Sequence, residues 1–478
     1  MNPLLAAFIC VCGIAGLFYL DRDKTIHTSK ALWLPVVYCW IIGSRPVSVW
    51  LGIGPQTGTE AQLNGSPFDA AIFGILLIAA ICVLLGRKNK TRTLLLANWP
   101  ILIYFSYCLI SATWSSHPDI SVKRWIKATS DLAMVLIVVT DGAPGVALRR
   151  MISRIGFLLL PTSLLFIKYF PSLGRSYTPS GLIDNTGVTN NKNLLGVLLL
   201  VISLGALWQI LTLMRAKGRA GRGRHLCAQS VLLAFGCALL KMAHSATSVA
   251  CFILGGGLIL ATSLRAIRGR PFRVHALCLA LVVSGGLTFI FAGRADMADA
   301  LGRSSNLSGR TDIWAALIPT VPSSIVGAGY ESYWISPSAE KLWSSLSEAG
   351  WWHPEILVTE AHNGYIEVYL NLGWIGVALI SLILMTSYKQ AVAAIRLNPS
   401  IGSLTLAYVI VSAVYSITEA GFRSPDPMWI FLLLASVSSS AAISGFFRER
   451  VRLEFADSGS AAAAASGVAG LYRSGWMG

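Results

Sequence analysis

Glu360-Ala361-His362-Asn363-Gly364-Tyr365-Ile366-Glu367-Val368-Tyr369-Leu370-Asn371-Leu372-Gly373-Trp374-Ile375-Gly376 places a histidine between a carboxylate and an amide, then runs into an apolar segment that ends near Met385. A segment of that length crosses the hydrocarbon core of a bilayer, so His362 falls at a membrane boundary. Gly373 and Gly376 are one helical turn apart, which predicts a smooth face for a neighbouring helix. Taken alone, such a histidine reads either as a chemical group or as an anchor at the headgroup level.

The rest of the chain has the same character. Of 478 residues, 54% are hydrophobic and only 13% charged, and the mean hydropathy is +0.64. A water-soluble protein of this size needs far less apolar material, so lipid is the expected solvent. Apolar segments fall near 3–20, 31–50, 68–86, 97–113, 126–141, 152–170, 193–213, 226–243, 246–264, 274–292, 364–386, 404–418 and 427–447. They predict an all-α polytopic integral membrane protein with about 12–13 transmembrane helices. A net charge of +16 would suggest nucleic acid in a soluble protein, but the basic residues sit mainly in short loops between spans, where they set orientation. No nucleic-acid partner is expected. The nine cysteines lie in or beside apolar runs without metal-ligand spacing and read as small apolar residues. Pro3 to Leu20 lacks a basic leader and reads as a retained first span.

Sorting the loops by basic residues gives two alternating sets. One holds Arg22, Lys24 and Lys30, then Arg87 to Arg92, Arg149 to Arg154, Arg215 to Arg224, Arg265 to Arg273, Lys389 with Arg396, and the tail from Arg448. The positive-inside rule puts this set in the cytoplasm, with the N-terminus outside and the C-terminus inside. The other set is richer in chemistry. It carries Arg45, the Trp114–Pro118 turn followed by Lys123 and Arg124, Arg175, Lys192, and a segment from about Gly293 to Ala361. That segment is too long and polar for a connector. With five tryptophans (314, 334, 343, 351 and 352) it reads as short helices at the outer membrane surface, capping a cavity. Residues 448–478, with five consecutive alanines from Ala461, read as a mobile cytoplasmic tail. Asp21-Arg22-Asp23 has an Asp-x-Asp form but lies on the cytoplasmic side without a surrounding domain. His117, His275 and His353 are isolated, without ligand spacing.

His362-Asn363, nine residues, then Gly373-x-x-Gly376 resembles the O-antigen ligase and Wzy-type polymerase superfamily. Ser44 to Gly52, Ala112-Thr113-Trp114-Ser115, Asn190 to Gly196, Ser308 to Trp314 and Gly327-Ala328-Gly329-Tyr330 are similar to exopolysaccharide polymerases of that superfamily. The resemblance is densest over about 226–386. It implies a GT-C-like membrane glycosyltransferase, built of N-terminal spans over 1–292, a periplasmic cap over 293–361 and C-terminal spans over 362–447. It implies a polyprenyl (undecaprenyl) pyrophosphate glycan as donor, and a sugar hydroxyl on a glycan or lipid-linked acceptor. The setting would be the outer face of the bacterial cytoplasmic (inner) membrane, with membrane lipid, a chain-length regulator and a flippase as partners.

The residues fit such chemistry. Departure of a lipid pyrophosphate from sugar C1 leaves concentrated negative charge that arginine and lysine neutralise. No phosphate-binding Gly-x-x-x-x-Gly-Lys motif is present, and neither cofactor nor metal is expected. His362 is the candidate general base, its ring oriented by Glu360 or Asn363. Arg310 is the first choice for the pyrophosphate; the alternative for it is a loop-stabilising pair with Asp312 or Glu331. Arg45, Arg124, Arg175 and Lys192 are further phosphate candidates, each open to the alternative of an interfacial charge. Lys241 lies inside the apolar run Ala234–Met242, where a charge facing a cavity is a functional candidate. Relatives carry an arginine near the start of the following span. Here His244 to Ser248 contains none, so Lys241 or His244 is the substitute. Three activities remain open: polymerisation of repeat units, ligation of finished glycan to lipid A–core or another acceptor, and transport of the lipid-linked glycan.

The alternation of basic loops generates a direct test. On a cysteine-free background, a membrane-impermeant thiol reagent applied from outside should modify cysteine placed at Ser338 and spare cysteine placed at Ala220. The reverse pattern would invert the assignment.

Overall fold

The computed structural model describes residues 2–23, 26–53, 65–177, 181–215, 221–292, 313–348 and 359–447. With no water in the hydrocarbon core, backbone N–H and C=O groups must pair within each segment, so apolar runs become helices. The principal helices are α1 Pro3–Leu20, α2 Trp33–Ile42, α3 Pro67–Leu85, α4 Lys88–Ala97, α5 Trp99–Ser111, α6 Pro118–Val139, α7 Pro144–Tyr169, α8 Lys192–Arg215 and α9 Arg222–Ala243. They continue with α10 Ala246–Thr262, α11 Pro271–Ala292, α12 Pro337–Glu348, α13 Gly364–Leu397, α14 Pro399–Tyr415 and α15 Pro427–Ile443. Proline sits in the first turn of α1, α3, α5, α6, α7, α14 and α15, where its missing N–H costs nothing. A two-stranded hairpin, β1 Arg175–Tyr177 and β2 Ile183–Asn185, joins α7 to α8. The chain is an all-α polytopic membrane protein apart from that hairpin.

Each apolar segment expected from the sequence is helical, but they are not equal. Among the described residues, six helices are long and apolar enough to cross a membrane by length and composition, and the count is seven if α4 and α5, which meet at 87°, are taken as one span. Five more apolar helices are shorter, and α6 carries too many charges to qualify. The 31–50 segment is not one span. It stops at Ile42 and resumes as a single turn, Val47–Trp50, because Gly43 and Pro46 bracket the Ser44-Arg45 corner. Helices α1 and α3 expose most of their apolar surface, as with Phe8 at 66% and Ile75 at 67%, and so face lipid. Helix α15 is buried on all sides and packs against α6, α8, α13 and α14 at the centre.

The loops separate to the two ends of this bundle. At one end Asp141, after α6, accepts from Ser29 N at 3.0 Å and meets Arg87 at 3.7 Å. Asp21 reaches His225 at 3.2 Å, Trp208 donates to Ser400 O at 2.7 Å, and Asn98 donates to Ser440 Oγ at 2.6 Å. This end collects the basic loops. At the opposite end Ser115 donates to Ser332 at 2.8 Å, Asn193 to Glu419 at 3.1 Å, and Gly364 N to Ser416 O at 2.7 Å. His362 belongs to that second end.

Gly373 overturns one expectation. It is not part of a smooth helix face: its φ of 62° and ψ of −164° break α13 into two helices. The segment 323–329 fills the break. Trp374 N donates to Ser324 O at 2.9 Å and Ile375 N to Ile325 O at 3.2 Å, while Ala328 N and Gly329 N donate to Leu370 O and Asn371 O at 3.0 and 2.8 Å. Tyr107 Oη closes the set on Leu372 O at 3.1 Å. Behind this strap a small second core gathers Leu317, Ala328, Tyr333, Trp334, Leu342 and Leu370. A Cβ at Gly373 would lie 2.2 Å from Ile325 O, so the strap and the glycine require one another. Gly373→Ala should cost about 1–3 kcal/mol and lower the thermal unfolding temperature in detergent. Gly74→Ala, where a Cβ meets nothing within 4 Å, should leave it unchanged. Equal behaviour of the two would show that the break is not structural.

Candidate active site

The site is a loop held in an uncommon conformation. Asn363 caps α13, its Oδ1 accepting from Tyr365 N at 2.9 Å and Ile366 N at 3.1 Å, while its Nδ2 donates to Ile417 O at 3.0 Å. Such a cap satisfies N–H groups that a helix start otherwise leaves orphaned. His362, just before it, has φ +48°, a left-handed conformation rare for a residue with a side chain. Its neighbours hold it there. Ala361 N donates to Glu367 Oε2 at 2.9 Å, and Trp314 Nε1 donates to Ala361 O at 2.8 Å. Trp334 Nε1 fixes the other Glu367 oxygen at 2.6 Å, and Arg423 donates to Thr359 O at 3.2 Å.

The imidazole then sits between two carboxylates. His362 Nδ1 lies 3.0 Å from Glu360 Oε1 and 3.4 Å from Glu419 Oε2. Asn193, in the first turn of α8, donates to the same Glu419 oxygen at 3.1 Å. Burial pulls the imidazole pKa down, but hydrogen bonds and charge from Glu360 and Glu419 outweigh it and raise the value to about 9. One neighbour also titrates unusually: burial pushes the Asp426 carboxyl up to about 8, the Met428 N–H opposes this, and the charges of Glu360, Asp131 and Glu419 add to it. Arg423 pairs with Glu331 at 3.1 Å. Burial disfavours its charge, yet Glu331, Glu367 and Glu360 together hold its pKa above the ordinary value. Glu331 is itself in a left-handed conformation (φ +51°), and its carbonyl accepts from Arg124. One ligand atom each from Glu360, His362 and Glu419 lie within 4.8 Å of one another, so this donor set could hold a proton or a divalent cation.

The sequence candidates distribute unevenly around this centre. His362, Glu360 and Asn363 come together, but Asn363 spends its amide on the helix cap and on Ile417 rather than on the ring. Arg124 reaches the Glu331 backbone beside Arg423. Lys192 turns to Asp184 at 3.0 Å, Arg175 donates to Ile167 O at 2.9 Å, and Arg45 donates to Leu173 O while lying over Trp50. Lys241 is not enclosed in a membrane cavity: it is exposed on the last turn of α9, where a cation suits the helix dipole. His244, exposed with φ +49°, ends that helix. The following turn stays near the site, since Thr247 Oγ1 meets Thr418 Oγ1 at 3.1 Å. His117 bonds Ile335 O and His275 bonds Tyr388. Arg310 and His353 lie outside the described residues. Sequence reasoning missed Glu419, Arg423 and Glu367, and named Glu331 only as a partner for Arg310, whereas it pairs with Arg423. The signal for the first two was present, because Ile417 to Ser424 is a loop that carries a glutamate and an arginine between apolar runs.

Residues 230–381, which contain His362 and the Gly373 break, match the family model described as O-Antigen ligase. Over that third of its length the chain is similar to the O-antigen ligase family. It is also similar to the exopolysaccharide production protein ExoQ of Rhizobium meliloti (strain 1021), with 29% identity over 299 residues, covering 60% of this chain. The chain spans 64% of the length of that curated relative. Arg45, Arg124, Arg175, Lys192, Glu419 and Arg423 all lie outside the matched O-antigen ligase region, so the candidate site is built from inside and outside that region.

The electrostatics can be measured directly. Diethyl pyrocarbonate modifies neutral imidazole, so peptide-resolved modification of His362 should rise with a midpoint near pH 9 in the wild type. Glu419→Gln removes one of the raising charges and should move the midpoint down towards the ordinary value near 6.5. An unchanged midpoint would remove Glu419 from the ring's environment.

Proposed function

We propose that this protein is a glycosyltransferase that polymerises glycan repeat units, moving a glycan from a polyprenyl (undecaprenyl) pyrophosphate donor to a sugar hydroxyl outside the cytoplasmic membrane. The observation that carries this reading is the His362 ring held through Nδ1 by Glu360 and Glu419, at the end of the bundle away from the basic loops. Carboxylates on Nδ1 orient the ring and leave Nε2, which has no hydrogen-bond partner among the described residues, to meet an acceptor hydroxyl. In this mechanism Nε2 takes the hydroxyl proton as the oxygen attacks sugar C1, and the bond from C1 to the pyrophosphate oxygen breaks. Electrons of that bond leave with the pyrophosphate, whose growing charge Arg310 neutralises with the other outer-face cations. Glu360 and Glu419 stabilise the imidazolium that forms. With a pKa near 9, about one ring in a hundred is neutral at pH 7. The same carboxylates make that neutral ring a stronger base.

The similarity to a protein named for exopolysaccharide production favours polymerisation, and the O-antigen ligase match keeps transfer of finished glycan to lipid A–core or another acceptor as the second reading. Both use the same atoms. A transporter is less well supported. A broken helix at mid-membrane depth is a transporter feature, but here the segment 323–329 fills the break at Gly373 and satisfies its backbone, where an ion or substrate site would need open space.

Purified protein in detergent, given a polyprenyl-pyrophosphate repeat unit, should elongate it. His362→Ala and His362→Gln should each lose about a hundredfold or more while still binding donor; near-normal turnover by the glutamine variant would make His362 an anchor only. Arg310→Ala should lose roughly 30- to 1000-fold, with Arg310→Lys recovering part because it lacks the guanidinium fork. A chelator should leave the rate unchanged. Loss of activity with chelator, restored by a divalent ion, would instead assign Glu360, His362 and Glu419 to a metal.

A further inference from the structure

We propose that the protein holds one anionic phospholipid at the end of the bundle opposite to His362, with its phosphate between Lys88 and Arg92 and an acyl chain in the groove beneath them. The inference is independent of the enzymatic reading. Helix α4 meets α5 at 87°, so α4 lies along the surface when α5 spans. Its far end is anchored at Asn98, which donates to Leu94 O and Ser440 Oγ, while Gln390 donates to Ala97 O at 3.1 Å. Between α4 and the ends of α3 and α5 is a groove of about 370 Å³, a volume on the scale of one acyl chain. Its walls are apolar, formed by residues such as Ile81, Leu84, Leu96 and Leu102. Leu85 and Leu96 along it are 68% and 59% exposed, too apolar to face water.

The cations at its mouth are what distinguish this groove from ordinary lipid-facing surface. Lys88 and Arg92 are one turn apart on α4, both line the groove, and both are exposed. Neither has an ion pair or hydrogen-bond partner among the described residues, and Lys88–Ala97 contains no carboxylate. The nearby acid, Asp141, is already taken by Arg87, Ser29 N and Ala143 N. Lys90 adds a third positive charge, over the Phe446 ring. An anionic headgroup with a hydrocarbon tail answers both halves of this surface: phosphate for the paired cations, and a chain for a groove with almost no polar lining. Basic residues beside a membrane attract anionic lipid in this way.

The test uses the purified full-length chain, delipidated and titrated with phosphatidylglycerol or phosphatidylcholine of the same acyl composition, with bound lipid counted by native mass spectrometry. Wild type should retain one phosphatidylglycerol about tenfold more strongly than phosphatidylcholine. The Lys88→Gln/Arg92→Gln double variant should lose that preference, whereas Lys389→Gln/Arg396→Gln, equally basic and at the same end, should keep it. Leu96→Trp, which fills the groove at an exposed position, should weaken retention of both lipids. Thermal unfolding in detergent before lipid is added should be unchanged by all of these variants, so that a misfolded protein is recognised as such. Equal retention of the two lipids by wild type, or an undiminished preference in the Lys88/Arg92 double variant, would overturn the proposal.

Discussion

A helix that ends or breaks inside hydrocarbon leaves backbone groups that only protein can satisfy. Helix α13 starts after its Asn363 cap and breaks at Gly373 ten residues on, a rise of about 15 Å. The remainder of the His362 half of the bundle is arranged around that fact. The strap 323–329 pairs with the break, the 416–423 loop receives Gly364 N and the Asn363 amide, and Trp314 and Trp334 brace the loop before the cap. His362 stands in a left-handed conformation because both of its neighbours are fixed from several directions. The spacing from the His-Asn pair to the Gly-x-x-Gly pair is thus the distance between a cap and a break.

That account corrects a reading based on composition alone. Two glycines one turn apart in an apolar run suggest close helix packing, and nothing local separates that case from a backbone that leaves helical geometry. The difference lies in the strap, which comes from fifty residues earlier in the chain. Much else was legible, because hydrophobic run length and the distribution of lysine and arginine report on lipid directly. The helices, their alternation between two ends and the placement of His362 beside Glu360 all follow from such signals. Glu419 and Arg423 were overlooked because a short loop between spans carries no motif, and their partnership with His362 and Glu331 exists only after α13 and α14 fold back on one another. Lys241 failed for the opposite reason: an apolar window does not reveal that a helix ends two residues later.

The electrostatics of the site oppose a simple picture of a neutral histidine waiting for a proton. Two carboxylates on one ring nitrogen favour the imidazolium at rest, and the Asp426 carboxyl close by is raised by burial and, to a lesser extent, by its acidic neighbours. Arg423 and Arg124 offset that negative charge from the far side of Glu331. Acidic and basic groups thus occupy adjacent parts of one site, an arrangement suited to taking a proton from one substrate while neutralising charge on another.

The pH–rate profile of glycan elongation, measured for wild type, Glu419→Gln and Asp426→Asn under conditions where chemistry limits the rate, tests this most directly. If neutral His362 is the base, the wild-type rate should climb with pH towards a limb near 9. In Glu419→Gln that limb should move to lower pH. In Asp426→Asn it should persist, which separates it from the carboxyl raised to about 8. A rate that falls as pH rises through 9, or a limb indifferent to Glu419, would contradict the account.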